Sequence, residues 1–206
     1  MPSSLILLSL GAALSGALHI RAEYRGPQRL AFVAKPLTTS LILVIALVAP
    51  GDAPPLYRAL IAIGLAFSLA GDVFLMLPSD RFLPGLASFL VAHLLYIGAF
   101  TLAAGFQPQL VTLLPFALAV GVLLHLLWPQ LVGVRLPVTG YVLIIATMGW
   151  QSLGQAIAVG EGWALRACLG AALFVVSDAA LALNRFRGGF ASAQLVVLGK
   201  IGRAHV

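Results

Sequence analysis

The chain has 206 residues, 61% of them hydrophobic and 9% charged, with 12 Lys+Arg against 6 Asp+Glu and a net charge of +6. A soluble domain carries about a quarter charged residues, so this chain cannot cover a water-facing surface. Disorder, a coiled coil and a disulfide scaffold are excluded by the same composition, whose one cysteine is Cys168.

What remains is a polytopic membrane protein. Crossing the hydrocarbon takes about 20 apolar residues, and runs of that kind lie at 3–20, 30–49, 57–77, 83–103, 110–127, 136–158 and 163–183, with a shorter one from 190. The separators, among them PGDAPP (50–55), PSDRF (78–82), GFQPQ (105–109) and NRFRGG (184–189), are too short to hold a soluble domain. The expected fold is all-α: one transmembrane helical bundle over residues 1–199, with seven complete helices and a truncated eighth. The first run has no basic stretch before it and arginines after it, so it reads as a retained helix and not a signal peptide.

Orientation follows from arginine placement. The odd-numbered loops hold Arg21, Arg25, Arg29, Arg81, Arg135, Arg185 and Arg187, whereas the even-numbered loops and their flanks hold Arg58 and Arg166. This puts the odd loops in the cytoplasm and the N-terminus outside, in a multi-pass protein whose compact loops suit a bacterial inner membrane. Basic residues scattered over loops also argue against nucleic acid as a partner. The chain ends Ile201-Gly202-Arg203-Ala204-His205-Val206, which is the translation of ATC GGA AGA GCA CAC GTC, a widely used sequencing-library adapter. Residues 200–206 therefore read as non-native read-through, and the run of about ten apolar residues before them is too short to span a bilayer.

Ionisable groups inside membrane helices are costly and mark function by default. Here they are Lys35, Asp72, His93 and Asp178, accompanied by Tyr96 and Tyr141. Counting along the helices at 1.5 Å per residue puts Lys35, Asp72, Tyr141 and Asp178 roughly 8 Å below the odd-loop face, with His93 and Tyr96 deeper. Thr39 follows Lys35 at i+4 and shares its helix face. Gly71 and Ser177, the small residues before the two aspartates, allow close approach of a helix or ligand. Taken singly, each group has a structural alternative: Lys35 can snorkel to the interface, one Asp can serve only as its partner, His93 can bridge helices, and tyrosines collect at membrane interfaces. As a set they say more, because one lysine cannot neutralise two aspartates, which leaves a carboxyl able to carry a proton into chemistry. No HxxxH, CxxC or clustered histidines point to a metal, and no organic cofactor is called for.

At AKPLTTSLIL (34–43), SLAGDVFLML (68–77), FLVAHLLYIGAF (89–100) and LFVVSDAALA (173–182) the chain resembles the YhhN-type lysoplasmalogenase family of eight-helix membrane proteins. The resemblance implies hydrolysis of the vinyl ether of lysoplasmalogens, with a lysophospholipid as substrate and a fatty aldehyde and a glycerophospho-base as products. By position it carries the family's polar signature onto Lys35, Asp72, His93, Tyr96, Ser177 and Asp178. The chemistry suits carboxylates, since protonation of the vinyl ether carbon needs a positioned acid, and a second carboxylate can stabilise the cation and activate water. The expected catalytic residues are Asp72, Asp178 and His93, with Lys35, Tyr96, Tyr141, Ser177 and Thr39 binding substrate. Three rivals fit the buried charges less fully: a small-molecule or proton-coupled transporter, a structural or assembly protein whose buried charges only hold helices together, and an intramembrane aspartyl protease, whose glycine signature before the second Asp is incomplete at Leu69-Ala70-Gly71-Asp72. Head-group preference and oligomeric state have no readable determinants.

Overall fold

A computed structural model describes residues 3–25, 28–49, 53–77 and 81–187. They form seven helices: α1 (Ser3–Arg25), α2 (Gln28–Val48), α3 (Pro55–Met76), α4 (Phe82–Ala104), α5 (Leu110–Leu127), α6 (Arg135–Val159) and α7 (Gly162–Arg187), with a short 3-10 turn at Trp128–Gln130 before α6. Each answers to one predicted complete span. The truncated eighth run and residues 200–206 lie outside the described residues.

The ends differ from expectation where helix outlasts hydropathy. Both α1 and α7 continue past their apolar runs, through RAEYR and NRFR, to Arg25 and Arg187. Those residues tolerate helix well, and the chain offers no breaker until Gly26-Pro27 and Gly188-Gly189. Elsewhere the stops are local. Pro55 opens α3 at a position where its missing N–H costs nothing, and Gly160 ends α6 in the left-handed conformation, φ 69°.

Helix α4 lies between α3 and α6, α7 packs on α6, and α1 and α2 pair alongside α3, while α5 covers α6 and α7. Ser15 of α1 donates to the Ala34 carbonyl of α2 at 2.9 Å, fastening that pair. The bundle is apolar outside and carries a set of polar groups within its apolar core. Leu110, Val111, Leu114 and Leu118 of α5 and Leu173 and Val176 of α7 are exposed, whereas Ser68, Asp72, His93, Gln151, Gln155 and Asp178 are buried. Five helices, α3 to α7, are long and apolar enough to cross a membrane, and α1 and α2 contain shorter apolar stretches. In hydrocarbon the exposed leucines cost nothing, and the buried polar groups must find one another.

Candidate active site

The polar groups meet in two pairs. In the first, Lys35 of α2 reaches Asp72 of α3 with Nζ 3.0 Å from Oδ1. Thr39, one turn after Lys35, donates to the other carboxylate oxygen, Oδ2, at 2.6 Å. Both oxygens of a nearly inaccessible carboxylate are thus engaged by one helix. Gly71 is what lets α4 close over this pair: a Cβ there would lie 2.7 Å from the Phe89 ring. Phe89 in turn sits 5.8 Å beneath the Lys35 ammonium, so the cation has a carboxylate on one side and an aromatic face on the other.

In the second pair the Tyr141 hydroxyl of α6 donates to Asp178 Oδ2 of α7. Asp178 is buried, and what it exposes faces a cavity of about 120 Å³ lined mainly by apolar side chains such as Leu75, Phe89, Ile145 and Val175. Between the pairs stands His93 of α4, wholly buried. Its ring meets those of Phe174, Tyr141 and Tyr96 edge-on, at centroid distances of 5.1, 5.4 and 6.1 Å. Neither ring nitrogen makes a well-formed hydrogen bond, although the ring interacts with the backbone of Phe89 one turn back. The Tyr96 hydroxyl pairs with Ser68 Oγ at 3.1 Å.

The groups form one electrostatic unit. Asp178 lies within reach of the charges on Lys35 and Asp72, and both Tyr96 and Tyr141 feel the two carboxylates. A second, larger cavity of about 370 Å³ begins at Thr39, Tyr96 and Phe174 and runs between α2, α3, α4 and α7 to Tyr57, Arg58, Trp163 and Arg166 at the even-loop face. The aromatic wall of His93, Tyr96 and Phe174 therefore separates an apolar space beside Asp178 from an apolar slot beside Thr39. Among the described residues no three His, Cys, Asp or Glu side chains converge as metal ligands would.

Residues 30–200, most of the chain, match the YhhN family. The protein belongs to the YhhN family. Its relatives include the lysoplasmalogenase TMEM86A of Bos taurus, 39% identical over 132 residues, which cover 61% of this chain and 53% of that protein. The lysoplasmalogenase TMEM86B of Sus scrofa is 41% identical over 149 residues, covering 71% and 60%. The uncharacterized membrane protein YhhN of Escherichia coli O157:H7 is 33% identical over 180 residues, covering 82% and 80%. The match to the two mammalian proteins thus spans little more than half of their length, and that to the bacterial one four fifths. No solved structure matches. Apolar helices and membrane-protein relatives together make this YhhN chain a multi-pass integral membrane protein.

Of the residues singled out from sequence, Lys35, Thr39, Asp72, His93, Tyr96, Tyr141 and Asp178 come together in this YhhN bundle. Ser177 does not: one residue before Asp178, it is turned by about 100° on the helix, is exposed, and lines neither cavity. Sequence reasoning missed Ser68, although it stands one turn before Asp72 on the same face and is wholly buried. It also missed Gln151, whose side-chain amide bonds the N–H and the carbonyl of Gln107 at 3.2 and 3.3 Å and pins the connection from α4 to α5 against α6. A glutamine in an apolar run was the available signal.

Proposed function

We propose that this protein hydrolyses the vinyl ether of lysoplasmalogens by carboxylate acid–base catalysis, as a lysoplasmalogenase of the YhhN family. The observation that carries the reading is the gathering of two carboxyl groups with unlike partners, Asp72 on an ammonium and Asp178 on a phenol, flanked by two apolar cavities. Unlike surroundings are how one site gives two carboxyls different tasks.

Asp178 is the acid. It gives its proton to the vinyl carbon remote from oxygen, leaving an oxocarbenium ion on the carbon that bears the ether oxygen. Asp72, held on both oxygens by Lys35 and Thr39, supplies the negative charge that steadies this cation. Water adds to the cationic carbon and passes a proton to the Asp178 carboxylate, giving a hemiacetal. Its carbon–oxygen bond to glycerol then breaks as the hemiacetal hydroxyl gives up its proton to a carboxylate and the glycerol oxygen takes one up from a carboxyl, and a fatty aldehyde and a glycerophospho-base leave. One water is consumed and the acid is restored. His93 and Tyr96 act as positioning residues, fixing the ring wall against which the reacting carbon lies. Lys35 is the cation available to the substrate phosphate, on the face that the arginine-rich loops place in the cytoplasm. On this reading the N-terminus is outside, and the bilayer is a bacterial inner membrane.

The experiment is aldehyde release from a defined lysoplasmalogen by the purified protein in detergent, with Asp72→Asn and Asp178→Asn made separately. General acid–base groups contribute about 10²–10⁴-fold, and each substitution is expected to remove that much. A near-native rate in either variant would dismiss the two-carboxyl mechanism. Substrate movement between two compartments without aldehyde formation would instead support a transporter.

A further inference from the structure

The larger cavity has a shape that the reaction alone does not require. Along α7 its wall is Trp163, Ala167, Ala171 and Phe174, one face of the helix at spacings of three and four residues. The two alanines leave the slot open, and the bulky residues close its ends. At the inner end Phe174 abuts His93, while at the outer end Trp163 meets Tyr57 edge-on with ring centroids 4.9 Å apart. Beyond that pair the lining changes from hydrocarbon to the guanidinium groups of Arg58 and Arg166. Arg58 is committed to the carbonyls of Leu47 and Ala49 at the end of α2. The distance from Phe174 to Trp163 along the helix is about 16 Å. An extended chain advancing about 1.2 Å per bond covers it in roughly 14 carbons.

We propose that this slot holds the substrate's hydrocarbon chain and that the Tyr57–Trp163 pair, backed by the arginine rim, sets the longest chain accepted. The inference rests on the proposed lysophospholipid substrate and adds which space its tail occupies and which residues gauge it. The chain enters beside Thr39 and Tyr96, where the slot touches the carboxylate cluster, and runs toward the even-loop face. Each methylene that fits adds about fourfold in affinity. A methylene past Trp163 gains nothing, because it would strip water from a guanidinium without replacing its partners.

The test uses the full chain in detergent and a series of saturated 1-O-alkyl lysophosphocholines lengthened in two-carbon steps. These lack the vinyl bond and cannot be turned over, and binding is read by native mass spectrometry. Affinity is expected to climb with length to a cutoff. Ala167→Leu, one turn inside Trp163, should move that cutoff to chains shorter by roughly five carbons. Trp163→Ala should move it the other way, with about a fifteenfold gain for two further methylenes. Ala119→Leu, which narrows the smaller cavity, should leave it in place. A misfolded variant would lose all lengths alike and cannot imitate a moved cutoff. An unmoved cutoff in both α7 variants, or one that shifts with Ala119→Leu, overturns the proposal. So does loss of every lysophospholipid with Arg166→Leu, which would put the phosphate at the outer rim. Cutoffs that shift as stated in a protein releasing no aldehyde from the vinyl analogues would retire the hydrolase reading and leave the gauge standing.

Discussion

On the proposed mechanism, Tyr141→Phe separates a hydroxyl that serves the reaction from one that serves the fold. The substitution removes one oxygen and leaves the ring that packs against His93, so little cavity results. What is lost is the bond to Asp178 Oδ2. While Asp178 holds its proton that bond joins neutral groups and is worth about 0.5–1.5 kcal/mol, but once the proton passes to carbon its acceptor is a carboxylate and the bond is worth about 1.5–3 kcal/mol. The difference, about 1–1.5 kcal/mol, exists only on the way to the transition state and corresponds to roughly tenfold in rate. Tyr96→Phe is the comparison. Its partner is the Ser68 hydroxyl, 3.1 Å away, neutral throughout, so its loss should lower stability by about 1 kcal/mol and leave kcat nearly unchanged. Steady-state aldehyde release over a range of lysoplasmalogen concentrations in mixed micelles gives kcat and KM for both, with thermal unfolding in the same detergent as the control. A Tyr141→Phe protein with a raised KM and native kcat, or a Tyr96→Phe protein equally slow, would refute this account.

Three further outcomes follow from the packing. Lys35→Met strands a buried carboxylate and should lower stability by about 3 kcal/mol, whereas Lys35→Met with Asp72→Asn should lose less than either change alone implies, as a double-mutant cycle of unfolding temperatures would record. Gly71→Ala drives a methyl into the Phe89 ring and should cost about 1–3 kcal/mol, with part regained on adding Phe89→Leu. Gln151→Leu removes both bonds to Gln107. It should speed hydrogen exchange at the Gln107 amide by roughly tenfold or more while leaving the exchange of α4 alone.

The spans were legible because hydrocarbon is an undemanding solvent: it asks only for length and apolarity, and the runs at 57–77, 83–103 and 110–127 end within two residues of the observed helices. The polar cluster was legible for the complementary reason, that Lys35, Asp72 and Asp178 have no business in an apolar helix without one another. Pairing was harder. Depth along each helix put Tyr141 and Asp178 at one level, but no spacing rule joins residues 37 positions apart. Ser177 shows the limit of arguing from neighbours, because adjacency in sequence is a third of a turn in space. The slot left still less trace. Ala167 and Ala171 are ordinary small residues until Trp163 and Phe174 are seen to close the space they leave, and cavities arise from side chains that are missing.

On the proposed mechanism, the ion pair at Asp72 bears on survival as well as rate. An aldehyde set free beside a primary amine condenses with it to an imine and water, and an enzyme of this class would make its own poison next to Lys35. An ammonium has no lone pair to offer the electrophile, and Asp72 holds this one in an ion pair at 3.0 Å. Asp72→Asn would unclasp it. Borohydride added together with a long-chain aldehyde should then leave an alkyl adduct on Lys35 in that variant and none in the native protein.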